Sequence, residues 1–216
     1  MKEKLTPIQF VQMNRINLHE HLETLIAEAL DLKKPELGTG LLEEAIEKYG
    51  AASKETSLDT ATDHQGIHGW LESKLVTNEK RIAYIIKGAI EEDKDNFSLI
   101  KEVYKEFGYS LGYRMKSQYQ VNTLEDVYAV VDQVIVDGMP CDKVNTLESS
   151  EENELVWLGL KDVHKAHYEA HGLSQEIFAT LRESFIKEFV KALGNYSFKM
   201  ETRPSAPVFR NTITKN

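Results

Sequence analysis

Disulfides, membrane spans and a basic surface are all missing from this sequence. Cys141 is its only cysteine, so no internal disulfide can form. No apolar run approaches the ~20 residues that cross a bilayer. Lys and Arg number 26 against 35 Asp and Glu, and the resulting formal charge of -9 opposes binding to nucleic acid or anionic lipid. The N-terminus lacks the apolar stretch of a signal peptide, so we expect a cytoplasmic protein with no nucleic-acid or membrane partner.

Several common catalytic signatures are also absent. The chain has no glycine-rich phosphate loop, no GxSxG or HExxH motif and no paired-cysteine zinc signature. ATP-dependent and serine-hydrolase chemistry therefore have no support. What remains is a chain of 216 residues that is 41% hydrophobic and 28% charged, which is ordinary for a globular protein with a packed core.

The first two thirds of the chain carry helical patterns. Thr6 and Gln9 around Pro7 form a capping box, which predicts a helix that ends near Lys33 and Lys34. Apolar residues at spacings of three and four, with a second capping box at Thr123 and Asp126, predict the later helices. We expect helices over 41–50, 82–90, 97–115 and 124–135, a turn over 35–40, a loop over 51–62 and a weaker helix over 63–76.

Two glycines interrupt the long helix predicted over 97–115. Gly108 and Gly112 lie one turn apart, and each costs ~1 kcal/mol relative to alanine in a helix. A close approach by another backbone would compensate for this cost, so we expect a second helix to cross at these glycines.

After Pro140 the apolar period changes from near 3.6 to near 2. Two predicted strands, 141–148 and 154–160, flank a polar turn and form a hairpin. The second strand is apolar on both faces, which predicts a central or covered position.

The fold class is therefore α+β: a mainly helical N-terminal half, then a small antiparallel sheet (β-β-α-α-β) packed against helices. We expect one composite domain over 1–216, with a helical part (1–92) and an α+β part (93–216). Further elements are predicted over 162–170, from Ser174 to Gly194, over 196–201 and, as an optional fourth strand, over 208–213.

The second half resembles a known family. The run Phe107–Met115, followed by a helix, a hairpin, a long helix and a closing strand, resembles the 4-vinyl-reductase-type domain, which is also found in TRAPP vesicle-trafficking subunits. The resemblance covers about residues 97–202. A weaker similarity, through Leu42–Gly50, points to the bacterial aminothiazoline-carboxylate hydrolase-like branch. That branch carries cysteines where this chain has Leu181–Phe185 and Tyr196–Met200, so its Cys chemistry does not transfer.

Histidines give the most distinctive local pattern. On a helix, His164, His167 and His171 would project within about 60° of one another. Such a stripe could hold a divalent metal such as zinc or act as a general base. The alternative is that His171 only complements a helix dipole while the other two line a solvated edge.

A second histidine pair lies in the first half of the chain. His64 and His68 are four residues apart behind Asp63, which would place both on one helical face. The alternative is that Asp63 caps the helix and Trp70 anchors the core. If both histidine segments converge, we expect His64, His68, His164, His167 and His171 as metal ligands, and His164, His167 and Asp63 as catalytic groups.

Aromatic and basic residues suggest a ligand pocket. Trp157 and Tyr113 could line an apolar cavity between helices and sheet, and Arg114 could attract a carboxylate into it. We therefore expect a hydrolase-like enzyme acting on a small polar or carboxylated molecule, with metal assistance as an option. The alternative is a non-catalytic small-ligand-binding or assembly module that forms a homodimer through the helix face of Gly108 and Gly112.

Overall fold

A computed structural model describes residues 5–53 and 58–216, without the side chains of residues 58–65. Helix α3 contains a non-helical residue at Gly66, where φ is 67°. The elements are α1 (Pro7–Lys33), α2 (Leu37–Tyr49), α3 (Leu58–Glu92), α4 (Asn96–Gln118), α5 (Leu124–Asp132), β1 (Asn145–Ser150), β2 (Glu154–Gly159), α6 (Lys165–Glu169), α7 (Gln175–Leu193), β3 (Tyr196–Thr202) and β4 (Phe209–Lys215).

The chain divides into two compact units. The first contains Met1–Ile100, Gly138–Cys141 and Ala166–Leu173. The second contains Lys101–Asp137, Asp142–Lys165 and Ser174–Asn216. The chain thus passes between the units several times, and neither unit is one continuous stretch. The single composite domain stays a prediction.

Both predicted capping boxes are confirmed. The hydroxyl of Thr6 accepts the backbone N–H of Gln9, whose side chain accepts the Thr6 N–H in return. Thr123 and Asp126 form the same reciprocal pair at the start of α5. These bonds use N–H groups that have no partner inside a helix, so they fix where each helix begins.

The turn between α1 and α2 is shorter than predicted. Helix α2 begins at Leu37 because the Asp31 carboxylate, from the last turn of α1, accepts the N–H groups of Gly38 at 2.6 Å and Thr39 at 3.2 Å. A hydrogen bond from the Thr39 hydroxyl lowers the pKa of Asp31. A Cβ on Gly38 would lie 1.9 Å from the carbonyl oxygen of Ala27, so the two helices cross at backbone contact.

Helices α1, α2 and α3 pack on one another in the first unit. The apolar residues of these helices form a buried core, as their 3.6-residue spacing predicts. Its fully buried members are Ile16, Ile26, Leu30, Ala45, Leu71, Ala83, Ile85, Ile86 and Ala89.

The second unit contains an antiparallel sheet with strand order β1-β2-β4-β3. The hairpin is confirmed, although β1 begins at Asn145 because Pro140–Asp142 form a 3-10 turn. Strand β2 lies between β1 and β4, which confirms its predicted central position. The optional fourth strand is present as β4. Helices α5 and α7 pack against the sheet, and the expected α+β class is confirmed.

The predicted close approach at the two glycines of α4 is confirmed. A Cβ on Gly108 would lie 2.3 Å from the carbonyl oxygen of Phe185, and one on Gly112 would lie 2.4 Å from that of Phe189. Both carbonyls belong to α7 of the same chain. Helix α7 packs against the face of α4 through which the alternative hypothesis expects a homodimer. A homodimer through these two glycines therefore has no support.

Helix α5 ends three residues earlier than predicted. Beyond Asp132 the N–H groups of Gln133 and Val134 bond to carbonyls only three residues back, which closes the last turn. The apolar residues from Val134 to Val136 are nevertheless buried, and they lead directly to Asp137. None of the helices in the described part of the chain is long and apolar enough to cross a membrane.

Candidate functional site

The predicted stripe of three histidines on one helix is wrong. Asp162 accepts the backbone N–H groups of His164 at 2.9 Å and Lys165 at 3.0 Å, so this carboxylate caps a helix that begins only at Lys165. His164 therefore precedes α6 and His171 follows it. His167 alone lies in the helix.

His171 occupies the tight turn that ends α6. The N–H of Gly172 bonds to the carbonyl of Glu169 at 2.9 Å, and the N–H of Leu173 bonds to that of Tyr168 at 3.0 Å. With Gly172 at φ 70°, these two bonds form a Schellman motif, and the buried side chains of Tyr168 and Leu173 accompany it. The backbone of His171 is therefore held on both sides.

His171 forms a hydrogen-bonded pair with Tyr49. The ring Nδ1 lies 2.7 Å from the carbonyl oxygen of His167, and Nε2 lies 2.8 Å from the Tyr49 hydroxyl. A backbone carbonyl can only accept, so Nδ1 must carry a hydrogen. In the neutral imidazole Nε2 is then the acceptor, and the Tyr49 hydroxyl donates to it. Both side chains are partly exposed, so solutes can reach the pair.

A second tyrosine and two charged groups surround this pair. The Tyr84 ring lies edge-on to Tyr49 and His171, with centroids 6.0 and 6.3 Å away. Its hydroxyl donates to Glu44 at 2.7 Å, and this hydrogen bond raises the pKa of Tyr84. The Lys48 ammonium lies 5.4 Å from the centroid of Tyr49 and 5.0 Å from that of Tyr84, within cation–π range.

His164 belongs to a buried charge cluster in the second unit. Arg182 makes two bonds to Asp137, at 2.7 and 2.8 Å, and Asn145 donates to the same carboxylate at 2.5 Å. The Nε2 atom of His164 lies 3.5 Å from Asp137, and its ring stacks on Phe178 at 4.1 Å.

Charge compensation keeps Asp137 ionised. Burial raises the pKa of Asp137, but the charge of Arg182 and the hydrogen bond to His164 outweigh burial and hold the pKa well below its ordinary range. The side chain of His164 is 3% exposed and that of Arg182 is 8% exposed. A group this enclosed offers little surface to a substrate, so we interpret the cluster as structural.

The remaining predicted metal ligands do not form a cluster in the described structure. His68 is exposed on α3, while the side chains of Asp63 and His64 lie outside the described residues. Across residues 5–53 and 66–216, no group of three or more His, Cys, Asp or Glu side chains is arranged to hold a metal ion. The zinc site stays a prediction that depends on the segment around His64.

The three predicted substrate contacts have different environments. Trp157 is fully buried against the rings of Tyr128 and Phe198, at 5.2 and 5.7 Å. Tyr113 is 67% exposed, and Arg114 is exposed beside it. Trp157 has no free surface for a substrate, so the predicted arrangement of a tryptophan, a tyrosine and an arginine around one ligand has no support.

Sequence reasoning identified His171 but missed its partner. Tyr49 lies in the helix predicted over 41–50, and nothing local links it to a residue 122 positions later. Asp137 and Arg182 were also missed, although each had a signal. Asp137 ends the apolar run from Val134, and Arg182 follows Leu181 in the buried stripe of α7, where an ionised group needs a partner.

Comparison with known proteins adds no relative. No protein-family model, curated protein or solved structure matches this chain.

Proposed function

We propose that this protein is a hydrolase-like enzyme for a small polar or carboxylated molecule, with Tyr49 and His171 as its acid-base pair. The hydrogen-bonded chain from the His167 carbonyl through His171 to Tyr49 carries the proposal. These two hydrogen bonds favour one tautomer of the His171 imidazole. General acid-base catalysis needs such a positioned imidazole where a substrate can reach it, and His171 is partly exposed.

The pair provides a route for one proton. An attacking water would release its proton to the Tyr49 oxygen while the Tyr49 hydroxyl proton moves to Nε2 of His171. The hydroxide oxygen bonds to the substrate carbonyl or amidine carbon, and the imidazolium later returns its proton through Tyr49 to the leaving group. The carbonyl of His167 supports this route because it holds Nδ1–H and stabilises the imidazolium.

The groups around the pair suit an anionic substrate. The Lys48 ammonium lies over the Tyr49 ring. It would favour a developing negative charge on the phenol and could pair with a substrate carboxylate. Tyr84 stays protonated because its hydroxyl donates to Glu44, so it serves as a neutral wall of the site.

The test is a hydrolysis screen on small carboxylated amides, esters and thiazolines. We expect Tyr49→Phe and His171→Gln each to lower kcat/KM by roughly 100-fold or more, the usual contribution of a positioned acid or base. Tyr109→Phe, a 48% exposed tyrosine of the second unit, is the matched control and should retain full activity. Turnover that survives both changes at the pair contradicts the proposal.

A further inference from the structure

The interior of the first unit contains two carboxylates and one guanidinium. Glu20 and Glu23 lie on α1 and Arg81 lies on α3, with side chains 4%, 3% and 0% exposed. Arg81 Nε is 3.0 and 3.1 Å from the two Glu23 oxygens, and Nη2 is 3.3 Å from Glu20. If both carboxylates were ionised, the cluster would hold one uncompensated negative charge away from water, which is costly.

The groups around Glu20 are hydrogen-bond donors, which suit a carboxylate that only accepts. The backbone N–H of Ser53 donates to it at 2.7 Å, and the Ser53 hydroxyl lies 2.5 Å from its second oxygen. With the guanidinium of Arg81 added, Glu20 is supplied with donors on both oxygens. A carboxylate that accepts several hydrogen bonds favours its charged form.

Glu23 has a neighbour that can accept a hydrogen bond from a protonated carboxyl. The amide of fully buried Asn78 lies 2.6 Å from Oε1 of Glu23, with its nitrogen placed toward the carboxyl. In that orientation the Asn78 oxygen is buried without a hydrogen-bond partner in the described structure. The two ends of an asparagine amide have nearly the same shape, and hydrogen bonding alone assigns them.

We infer that Glu23 is a buried proton-binding site: a neutral acid that donates its hydrogen to the Asn78 amide oxygen, with that amide rotated by 180°. The proton cancels the excess charge and leaves Arg81 matched to Glu20. The charged groups that act on Glu23 are Arg81 from α3 and Glu20 from its own helix. Burial supports the inference because it raises the pKa of Glu23 to about 7 despite the charge of Arg81.

The proton site is connected to the proposed acid-base pair. Arg81 Nη1 donates to the carbonyl of Gly50 at 2.8 Å, and Gly50 directly follows Tyr49. Loss of the Glu23 proton would draw the guanidinium toward Glu23 and loosen its hold on Gly50. This step alone rests on the proposed function. The proton site itself is tested without any activity measurement.

The experiment measures urea unfolding from pH 4.5 to 8.5 for the native chain, Glu23→Gln and Glu20→Gln. The folded state binds the Glu23 proton more tightly than the unfolded chain. Its stabilisation is therefore complete below pH 4.5 and disappears as the pH rises through about 7. We expect the folding equilibrium constant of the native chain to lose on the order of 100-fold over this range from this group.

Glu23→Gln keeps the neutral shape, so it should flatten this pH dependence and exceed the native stability at pH 8. Glu20→Gln should lose stability at low pH, because it turns an amide toward existing donors, and should weaken the slope, because the charge of Glu20 is one cause of the raised pKa of Glu23. Infrared spectra of isotopically labelled glutamate in the native chain should show a protonated carboxyl at pH 6 that is lost by pH 8.5. A slope shared by native and Glu23→Gln chains, or no protonated carboxyl at pH 6, overturns the inference.

Discussion

The two units each bury a carboxylate beside an arginine, yet the two acids respond in opposite ways. In the second unit Asp137 receives two bonds from Arg182, and its pKa falls well below the ordinary range. In the first unit Glu23 shares Arg81 with Glu20, and its pKa rises to about 7. Burial opposes ionisation in both cases. One guanidinium serves one carboxylate in the second unit and two in the first, and the second carboxylate adds to the effect of burial on the pKa of Glu23.

Geometry strengthens this contrast. Asp137 has each oxygen matched to a different nitrogen of Arg182, and Asn145 adds a third donor. Glu23 meets a single guanidinium nitrogen, Nε, with both of its oxygens. A bidentate pair gains more from each donor than one shared nitrogen does. The arrangement around Asp137 therefore stabilises the ionised carboxylate, while the arrangement around Glu23 allows the protonated acid.

Removal of the guanidinium in the second unit should have the largest effect. Arg182→Met leaves the enclosed charge of Asp137 without its bidentate partner, with His164 and Asn145 beside it, and we expect a loss of about 3–5 kcal/mol in the free energy of unfolding. Urea unfolding at pH 7 measures it. The matched control is Arg114→Met, an exposed arginine whose loss should change stability by less than about 0.5 kcal/mol. Equal losses for the two variants would mean that Asp137 is not held by Arg182.

The pH dependence of unfolding should separate the two acids. The depressed pKa of Asp137 gives stability that is present above about pH 4 and lost as the pH falls. The raised pKa of Glu23 gives stability that is lost between pH 4.5 and about 7, on the order of 3 kcal/mol in total. Glu23→Gln should remove only the loss at higher pH, and the acid loss should persist. If Glu23→Gln removed both the loss of stability at low pH and the loss at higher pH, one group would control both.

The features that could be predicted from the sequence are those that depend on residues close together in the chain. The helix starts at Thr6 and Thr123 and the backbone crossing at Gly108 follow from capping, periodicity and glycine cost, all of which act locally. The start of α2 could not be predicted because Asp31 reaches forward seven residues to cap it. The site depends on longer contacts still.

Long-range pairs explain the missed site residues. His171 could be selected as a candidate from its own segment. Its partner Tyr49 lies 122 residues away, and the partner of Asp137 lies 45 residues away. Glu23 lies between Leu22 and Thr24, and nothing local links it to Arg81, 58 positions later. Local patterns thus identify a buried or reactive group, and only the fold supplies the group that sets its charge.

A smaller effect is expected from the third donor to Asp137. Asn145→Ala removes one hydrogen bond from a carboxylate that keeps both bonds to Arg182. We expect a loss of about 1.5–3 kcal/mol, the range for a hydrogen bond to a charged group. The acid limb of the stability curve should also shift to higher pH, since one interaction that favours the ionised form is gone. An acid limb that stays in place would show that Arg182 and His164 alone set the pKa of Asp137.

The smallest effect is expected where the paired groups are partly exposed. Tyr49→Phe removes the hydroxyl that donates to His171, but water can replace it because both side chains are accessible. We expect at most about 1 kcal/mol in the free energy of unfolding, while the proposed hydrolysis falls by roughly 100-fold. A large loss of activity with a small loss of stability distinguishes a catalytic pair from the buried ion pairs of both units. Removal of those ion pairs should lower the free energy of unfolding instead. A stability loss as large as that of Arg182→Met would assign Tyr49 and His171 to the scaffold instead.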